Sequence, residues 1–512
     1  MSGKILLNKD KKMSKKKVLL INPGHERKTG SQHIVPHRVH RDIPPISIVT
    51  LGSYLEQNGI EAILLDTHLE ENYEMAIKKL LQDNDICLIG ITTLIGKFIS
   101  NAQETSNYIK SIMPKLPIVW GGALTSTLPE ACLKESKADY IVLFNGEEPL
   151  RLLVEAITSG SSVESVPNIG FLKDGKPFYT GYLTNPVIYG EPLDWGLLGE
   201  KINIKQVPYL AYIFSSRGCP YGCRFCYHQM SASKEQRKCL FRNADQVLQE
   251  LKFLNEKYGI SVFTFGDDNF FSNKKRAVEI LRGMRERKFY IEQAIGTFSD
   301  FNDEVIENLK GLCQTVIASI ETASDRLLKV INKPIKLANI PEINRKLAAA
   351  EINSIHNFMF GLPGETDEDR RAAVGLMLTL KEINPYVRGM AYFFTPLPGT
   401  PMFDDIEKEY GAFPRTLAFW GNCEIIGLEE SYIFRPWLSM DEQVFVTDFI
   451  DLFKNIFQSI NHPLTSEQRN MISRSPRLRK IFAGIDQVKY PADENPKYLL
   501  DTVLKAKGVK VA

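Results

Sequence analysis

Short apolar runs alternate with amphipathic stretches along most of the chain and divide it into two α/β regions and a helical remainder. From Lys17 the order reads KVLLINP, a strand; IVTLGSYLEQNG, a helix ending at Gly59; EAILLD, a strand; YEMAIKKLLQD, a helix; ICLIGITT, a strand; a helix through Ile109; PIVWGG, a strand; a short helix; and YIVLFNGEEP leading into the helical RLLVEAI. Each strand stops at Gly, Pro, Asn, Asp or Thr, and this alternation predicts a doubly wound parallel sheet with helices on both faces. Such sheets bind ligands at the carboxyl ends of their strands. Those ends are Asn22-Pro23-Gly24, Asp66, Thr92-Thr93, Gly121-Gly122 and Asn145-Gly146-Glu147. Residues 161–205 lose periodicity and are rich in Gly, Ser, Pro and Asp, the composition of a linker or strap.

A second run of strands follows: LAYIFSS, SVFTFGDD, IEQAIGTF, TVIASIET, INSIHNFMFGLPGE and GMAYFFTPLPG, separated by helical segments. Six strand-helix repeats predict a barrel or partial barrel, with its active site at the strands' carboxyl ends. Beyond Phe403 the pattern stops. Ser439-Met440-Asp441-Glu442 reads as a capping box. It opens a helix whose apolar face, from Phe445, Phe449, Leu452 and Phe453 to Ile456, Phe457 and Ile460, is expected to be core and to end at Pro463. This tail is expected to lid the barrel. The segmentation is therefore a basic tail (1–16), a sheet domain (17–160), a linker (161–205), a barrel (206–403) and a helical region (404–512).

Composition narrows the setting. With 44% hydrophobic and 24% charged residues in a chain of 512, the protein is expected to be soluble and multidomain. A net charge of +2 gives no reason to expect a nucleic-acid partner. The lysine-rich start flanks apolar runs too short for a signal peptide or a transmembrane segment. Sparse, mostly isolated cysteines fit a reducing cytoplasm.

One stretch breaks that sparseness. Ser216 to Gln229 reads SRGCPYGCRFCYHQ, and three of the chain's 8 cysteines fall within it. With so few cysteines in the chain, that spacing arises by chance roughly once in 500 such chains. Three thiolates can hold three corners of a 4Fe-4S cube and leave one iron open. Cys239, thirteen residues past Cys226, leaves a four-ligand zinc or cluster site as an alternative, although its spacing fits none of the usual finger patterns. Cys87, Cys132, Cys313 and Cys423 read as buried. His25, His33, His37 and His40 crowd one loop and are assigned no metal.

Cys219-x-x-x-Cys223-x-x-Cys226 after the first barrel strand resembles the radical S-adenosylmethionine (SAM) superfamily. The resemblance implies a (β/α)6 partial TIM barrel and a cluster held by these cysteines. Its open iron chelates the amino and carboxylate groups of SAM, and one electron from the cluster yields a 5'-deoxyadenosyl radical. Gly266-Asp267-Asp268 stands where the family carries Gly-Gly-Glu near the SAM amino group, so Asp267 and Asp268 are implied contacts. Glu321, in Ile320-Glu321-Thr322, resembles the contact to the ribose. Gly361 and Gly364, in Gly361-Leu362-Pro363-Gly364-Glu365-Thr366, resemble the adenine-side turn, and Phe225 and Tyr227 the aromatic wall near the base.

The preceding α/β region resembles the Rossmann-like cobalamin-binding domain of the cobalamin-dependent radical SAM subfamily, with Thr93, Gly121, Gly122, Gly146 and Glu147 as implied cobalamin contacts. Asn22-Pro23-Gly24-His25-Glu26 lacks the Asp-x-His-x-x-Gly pattern that supplies a histidine below cobalt. Asp66-Thr67-His68 mimics only its first half, so no histidine ligand is expected. The resemblance implies methyl transfer to an unactivated carbon through methylcobalamin, with a small-molecule or peptide substrate and an external low-potential donor of the flavodoxin or ferredoxin type. Oxidative cyclisation or ring rearrangement on the same chassis is the alternative. A noncatalytic iron-sulfur redox sensor is a third.

Overall fold

The computed structural model describes residues 16–24, 45–183, 188, 190–198, 211–229, 239–423, 435–458 and 464–487. The four histidines of the 25–40 loop, Ile460 and Pro463 lie outside these residues.

In the first region, β1 (Lys17–Asn22), β2 (Ala62–Asp66), β3 (Ile86–Thr92), β4 (Ile118–Gly121) and β5 (Tyr140–Val142) pair in parallel. Val18 to Ile21 of β1 are wholly buried because helices cover both faces, which is why this strand is continuously apolar rather than alternating. The segment expected to be a linker instead opens with β6 (Ile169–Lys173) and β7 (Lys176–Tyr179), an antiparallel hairpin added to β5. The sheet order is thus β2-β1-β3-β4-β5-β6-β7. The hairpin was hidden because its outer strand is an edge, half-exposed and carrying Pro177, so its pattern is weak. Residues 190–198 do act as a strap. Asp194 N donates to Ser53 Oγ at 2.8 Å, Lys257 Nζ reaches Asp194 at 2.9 Å, and Trp195 is buried.

The second region contains β8 (Ala211–Ile213), a small ribbon of β9 (Ser216–Arg217) and β10 (Leu240–Phe241), then β11 (Val262–Phe265), β12 (Tyr290–Gly296), β13 (Cys313–Ala318), β14 (Asn353–Phe360) and β15 (Arg388–Phe393). Six of these form one parallel sheet in the order β15-β14-β13-β12-β11-β8, an open barrel with helical crossovers.

The helix Met440–Phe457 packs against β14 and β15. Phe449 and Phe453 lie edge-on to Phe360 at 4.8 and 5.1 Å, and a Cβ on Gly389 would meet both Phe453 and Phe457. Its apolar face is core, as expected. The helix flanks the barrel's edge strand, where its phenylalanines bury their area. Only half of the expected capping box forms. Ser439 Oγ accepts from Glu442 N at 3.2 Å, while the Glu442 carboxylate turns to Arg370 and Arg477. No helix among the described residues is long and apolar enough to cross a membrane.

Candidate functional site

A cavity of about 810 Å³ lies where the carboxyl ends of the first sheet face the cysteine loop of the barrel. The sheet side is mostly apolar: Ile48, Leu51, Ile91, Val119, Val142 and Leu150 line it, with Gly121, Gly122 and Gly146 at the strand ends. The barrel side is polar, with Arg217, Gly218, Cys219, Tyr227, His228 and Asp268. The position matches the switch point of the sheet order, where β1 and β3 diverge to opposite sides and loops part to leave a crevice.

Gly122 explains the shape of the sheet wall. Its φ is +107°, and a Cβ there would stand 2.4 Å from the Thr93 carbonyl oxygen, so only glycine lets the two strand ends meet. Thr93 is spent on this junction. Its backbone N and its Oγ1 both donate to Gly121 O, at 2.7 and 2.9 Å, and it is fully buried. Thr93 therefore braces the wall, and its neighbour Thr92 lines the cavity in its place. At Gly121 an added Cβ would meet only Val142, at 3.9 Å. His68 sits in a short turn after β2, outside the lining.

Glu147 ties the two walls together. It is 3% exposed, and Arg217 donates to it and, at 3.0 Å, to Asn145 Oδ1. This ion pair joins the base of the cysteine loop to the first turn of the helix after β5.

The three cysteines are half-buried in a loop pinned from several directions. Arg224 N donates to Ile331 O at 2.9 Å, Asn332 Nδ2 to Gly222 O at 2.8 Å, Met402 N to Arg224 O at 3.2 Å, and Gln229 N to Cys226 O at 2.9 Å. Burial pushes the thiols up, Cys219 to about 11 and Cys226 to about 12. Burial raises Cys223 too, with Lys333 pulling the other way. Thiols so placed need a strongly electropositive ligand to ionise, and three soft donors on a braced loop are the set a 4Fe-4S cluster takes. Cys239 lies across the β9–β10 ribbon, where its thiol donates to Gly218 O at 3.1 Å. Among the described residues no three His, Cys, Asp or Glu side chains converge on a single-ion position.

The paired acids after β11 separate. Asp267 is fully buried and accepts from Ser215 N at 3.0 Å, from Ser215 Oγ at 2.7 Å and from Ser216 Oγ. Arg276 reaches the same serine, its guanidinium donating to Ser215 O at 2.8 Å and to Ser215 Oγ at 3.0 Å. The expectation that Asp267 contacts a cofactor is thus corrected, because its carboxylate oxygens fasten Ser215 and Ser216, at the start of the cysteine loop, to the end of β11. Asp268 faces the cavity, where it accepts from Gly218 N at 3.1 Å and Tyr227 Oη at 2.6 Å. His228 Nε2 lies 2.7 Å from Asp268 Oδ1, out of line for a hydrogen bond. Burial opposes ionisation of Asp268, but His228, Tyr227 and the Gly218 N–H outweigh it and hold the carboxyl below its ordinary range.

Phe225 packs against the core, and Glu321, Gly361 and Gly364 lie outside the cavity lining. Glu321 has φ +68°, bridges to Phe358, and accepts from Lys333 Nζ at 3.0 Å. Gly361 and Gly364 both have φ +75°. The Gly361 turn is tied down by its own N–H, which donates to Glu365 at 2.7 Å, and by Trp437, which donates to its carbonyl at 2.8 Å.

Sequence reasoning missed Arg217, His228 and Lys333. The first two had a signal, since each lies two residues from a motif cysteine. Lys333 had none, because only the fold carries it to the loop.

Two family models match the chain: the radical SAM superfamily over residues 213–377 and the B12 binding domain over residues 33–154. Together they span more than half of it. The chain is 26% identical to an uncharacterized methyltransferase of Pyrococcus horikoshii, over 70% of this chain and 78% of that protein. It is 24% identical to the cytidylyl-2-hydroxyethylphosphonate methyltransferase of Streptomyces wedmorensis, over 70% and 76%. Similarity at 26% extends to the anaerobic magnesium-protoporphyrin IX monomethyl ester cyclase of Cereibacter sphaeroides, over 63% and 53%. Among solved structures, the radical SAM methyltransferase TsrM from Kitasatospora setae superposes with a TM-score of 0.63 at 20% identity, covering 77% of this chain and 76% of that one. The cobalamin-dependent SAM radical enzyme OxsB superposes with a TM-score of 0.67 at 15% identity, covering 96% and 75%. With a B12 binding domain ahead of a radical SAM barrel, and one cavity between them, the chain belongs to the cobalamin-dependent radical SAM enzymes, whose cofactors are a 4Fe-4S cluster, SAM and cobalamin.

Proposed function

We propose that this enzyme transfers a methyl group from SAM, by way of cobalamin, to an unactivated carbon of a small molecule or peptide. The observation that carries this reading is the cavity bounded by Gly121, Gly122 and Gly146 on one side and Cys219 and Asp268 on the other. When bound, the cluster supplies the electron that splits SAM to an adenosyl radical, and the cobalamin supplies the methyl carrier. Cys219, Cys223 and Cys226 are the thiolates that would hold the cluster. Asp268, fixed by Gly218 N and Tyr227, offers a carboxylate to the SAM ammonium. Gly121, Gly122 and Gly146 leave the strand ends open to a flat ring, and the apolar lining around them keeps water out. The Arg217–Glu147 pair holds the two walls in register.

A low-potential one-electron donor of the flavodoxin or ferredoxin type, and a cytoplasmic setting that keeps the cluster from oxygen, belong to the same reading. Similarity to the anaerobic cyclase favours a second reading, oxidative cyclisation or rearrangement without net methylation. Product stoichiometry separates the two. Methyl transfer consumes two SAM molecules with different fates, so S-adenosylhomocysteine and 5'-deoxyadenosine rise together. Turnover giving 5'-deoxyadenosine without matching S-adenosylhomocysteine would defeat methylation and leave the cofactors standing. A redox sensor would give neither product above background.

A further inference from the structure

Lys333 is a buried cation that the proposed reaction does not yet use. Its side chain is 7% exposed. It follows the helix Asp325–Val330, whose end is locked to the cysteine loop by the bonds from Arg224 N to Ile331 O and from Asn332 Nδ2 to Gly222 O. Asn332, at φ +51°, turns the chain out of the helix, and Lys333 N returns to Leu328 O at 3.0 Å. The ammonium then meets Glu321 at 3.0 Å. Glu321 is itself immobilised, its N donating to Asn357 O and its O accepting from Met359 N, both at 2.8 Å. The residues that bond Ile331 and Asn332, Arg224 and Gly222, flank Cys223, so the turn that carries Lys333 is tied to both sides of that cysteine.

Burying an ammonium is costly unless anions surround it. One carboxylate neutralises Lys333 without explaining why its turn is also bonded to the residues on either side of Cys223. We infer that Lys333 is a positioning residue for the cluster: its charge raises the cluster's reduction potential, and its bond to Glu321 holds the ammonium in place beside the loop. The physical reason is that one-electron reduction adds negative charge beside a cation held in a poorly solvated site. This rests on the assignment of the cluster to Cys219, Cys223 and Cys226.

The test is a potentiometric titration of anaerobically reconstituted full-length protein, followed by the electron paramagnetic resonance signal of the reduced cluster, in wild type, Lys333→Met, Lys333→Arg and Glu321→Gln. In Lys333→Met the reduced-to-oxidised ratio at the wild-type midpoint falls at least tenfold, a negative shift of about 59 mV for a one-electron couple. Lys333→Arg restores the wild-type value. Glu321→Gln, which leaves the cation unneutralised, shifts the midpoint positive. A Lys333→Met protein with full iron content and a wild-type midpoint would overturn the inference. If that variant fails to assemble, Glu321→Gln decides, and an unchanged or more negative midpoint there overturns it equally. Wild-type protein that takes up no iron would overturn the cluster assignment itself.

Discussion

The two walls of the cavity are built on opposite principles. The barrel wall is held by charge and hydrogen bonds: Asp267 and Arg276 converge on Ser215 below the cysteine loop, Lys333 and Glu321 lie beside it, and Asp268 is fixed by Gly218 and Tyr227. The sheet wall is held by missing side chains, with glycines at the strand ends and an apolar floor beneath them. A small, highly charged cofactor needs donors at set positions, whereas a large flat one needs room. The two halves should therefore fail differently when altered.

The largest effects belong to the barrel wall. Changing Cys219, Cys223 or Cys226 to Ala should abolish both the iron-sulfur absorbance and the formation of 5'-deoxyadenosine. Cys239→Ala should leave both largely intact, and loss of the cluster there would revive a four-ligand site.

The sheet wall should break by volume. Gly122→Ala puts a Cβ against the Thr93 carbonyl at φ +107° and should cost about 2 kcal/mol or more in chemical denaturation. Gly121→Leu has space at its Cβ and should keep the fold while losing hydroxocobalamin on gel filtration. Equal corrinoid retention by Gly121→Leu and wild type would remove Gly121 from the cobalamin site.

A smaller effect sharpens the contrast on the polar side. His356, in β14, is fully buried, and burial depresses its pKa to about 4 although one ring nitrogen bonds Ala318 O at 3.0 Å. The unfolded chain binds this proton near its ordinary pKa, so the stability contributed by neutral His356 is complete above that value and is lost as pH falls toward 4. The loss should reach about 2 kcal/mol at pH 5. His356→Asn should flatten the slope of stability against pH between about 6.5 and 4, and an unchanged slope would remove His356 as its cause.

The smallest effect tests the joint between the walls. Arg217→Met leaves Glu147 unpaired at 3% exposure. Because Arg217 itself is about one-third exposed, water offsets part of the loss, and the cost should be about 1 kcal/mol. Retention of the cluster and of cobalamin with slowed coupled turnover is the expected signature. Unchanged turnover would show that the walls need no tie.

Much of this architecture was legible along the chain because its strands are buried on both faces and end abruptly in turn residues. Eleven strands of the two parallel arrays follow such runs. The hairpin at 169–179 escaped because edge strands carry less apolar signal. The cysteine loop was legible through the rarity of cysteine. The roles of Asp267 and Asp268 were not, since adjacent acids at a strand end point to opposite sides and nothing local says which side is the cavity. Thr92 and Thr93 exchanged roles for the same reason.

By itself, then, the sequence determined the order of elements, the three-thiol motif and the glycine-marked strand ends, because periodicity, rarity and turn chemistry are local properties. Only the tertiary structure decided that the two sets of strand ends face each other across one cavity, that Glu147 pairs with Arg217 seventy positions along the chain, and that the turn carrying Lys333 is bonded to the cysteine loop. Those are meetings between distant segments. Their partners are chosen by which surfaces the packed sheets bury together, and no short window of residues carries that information.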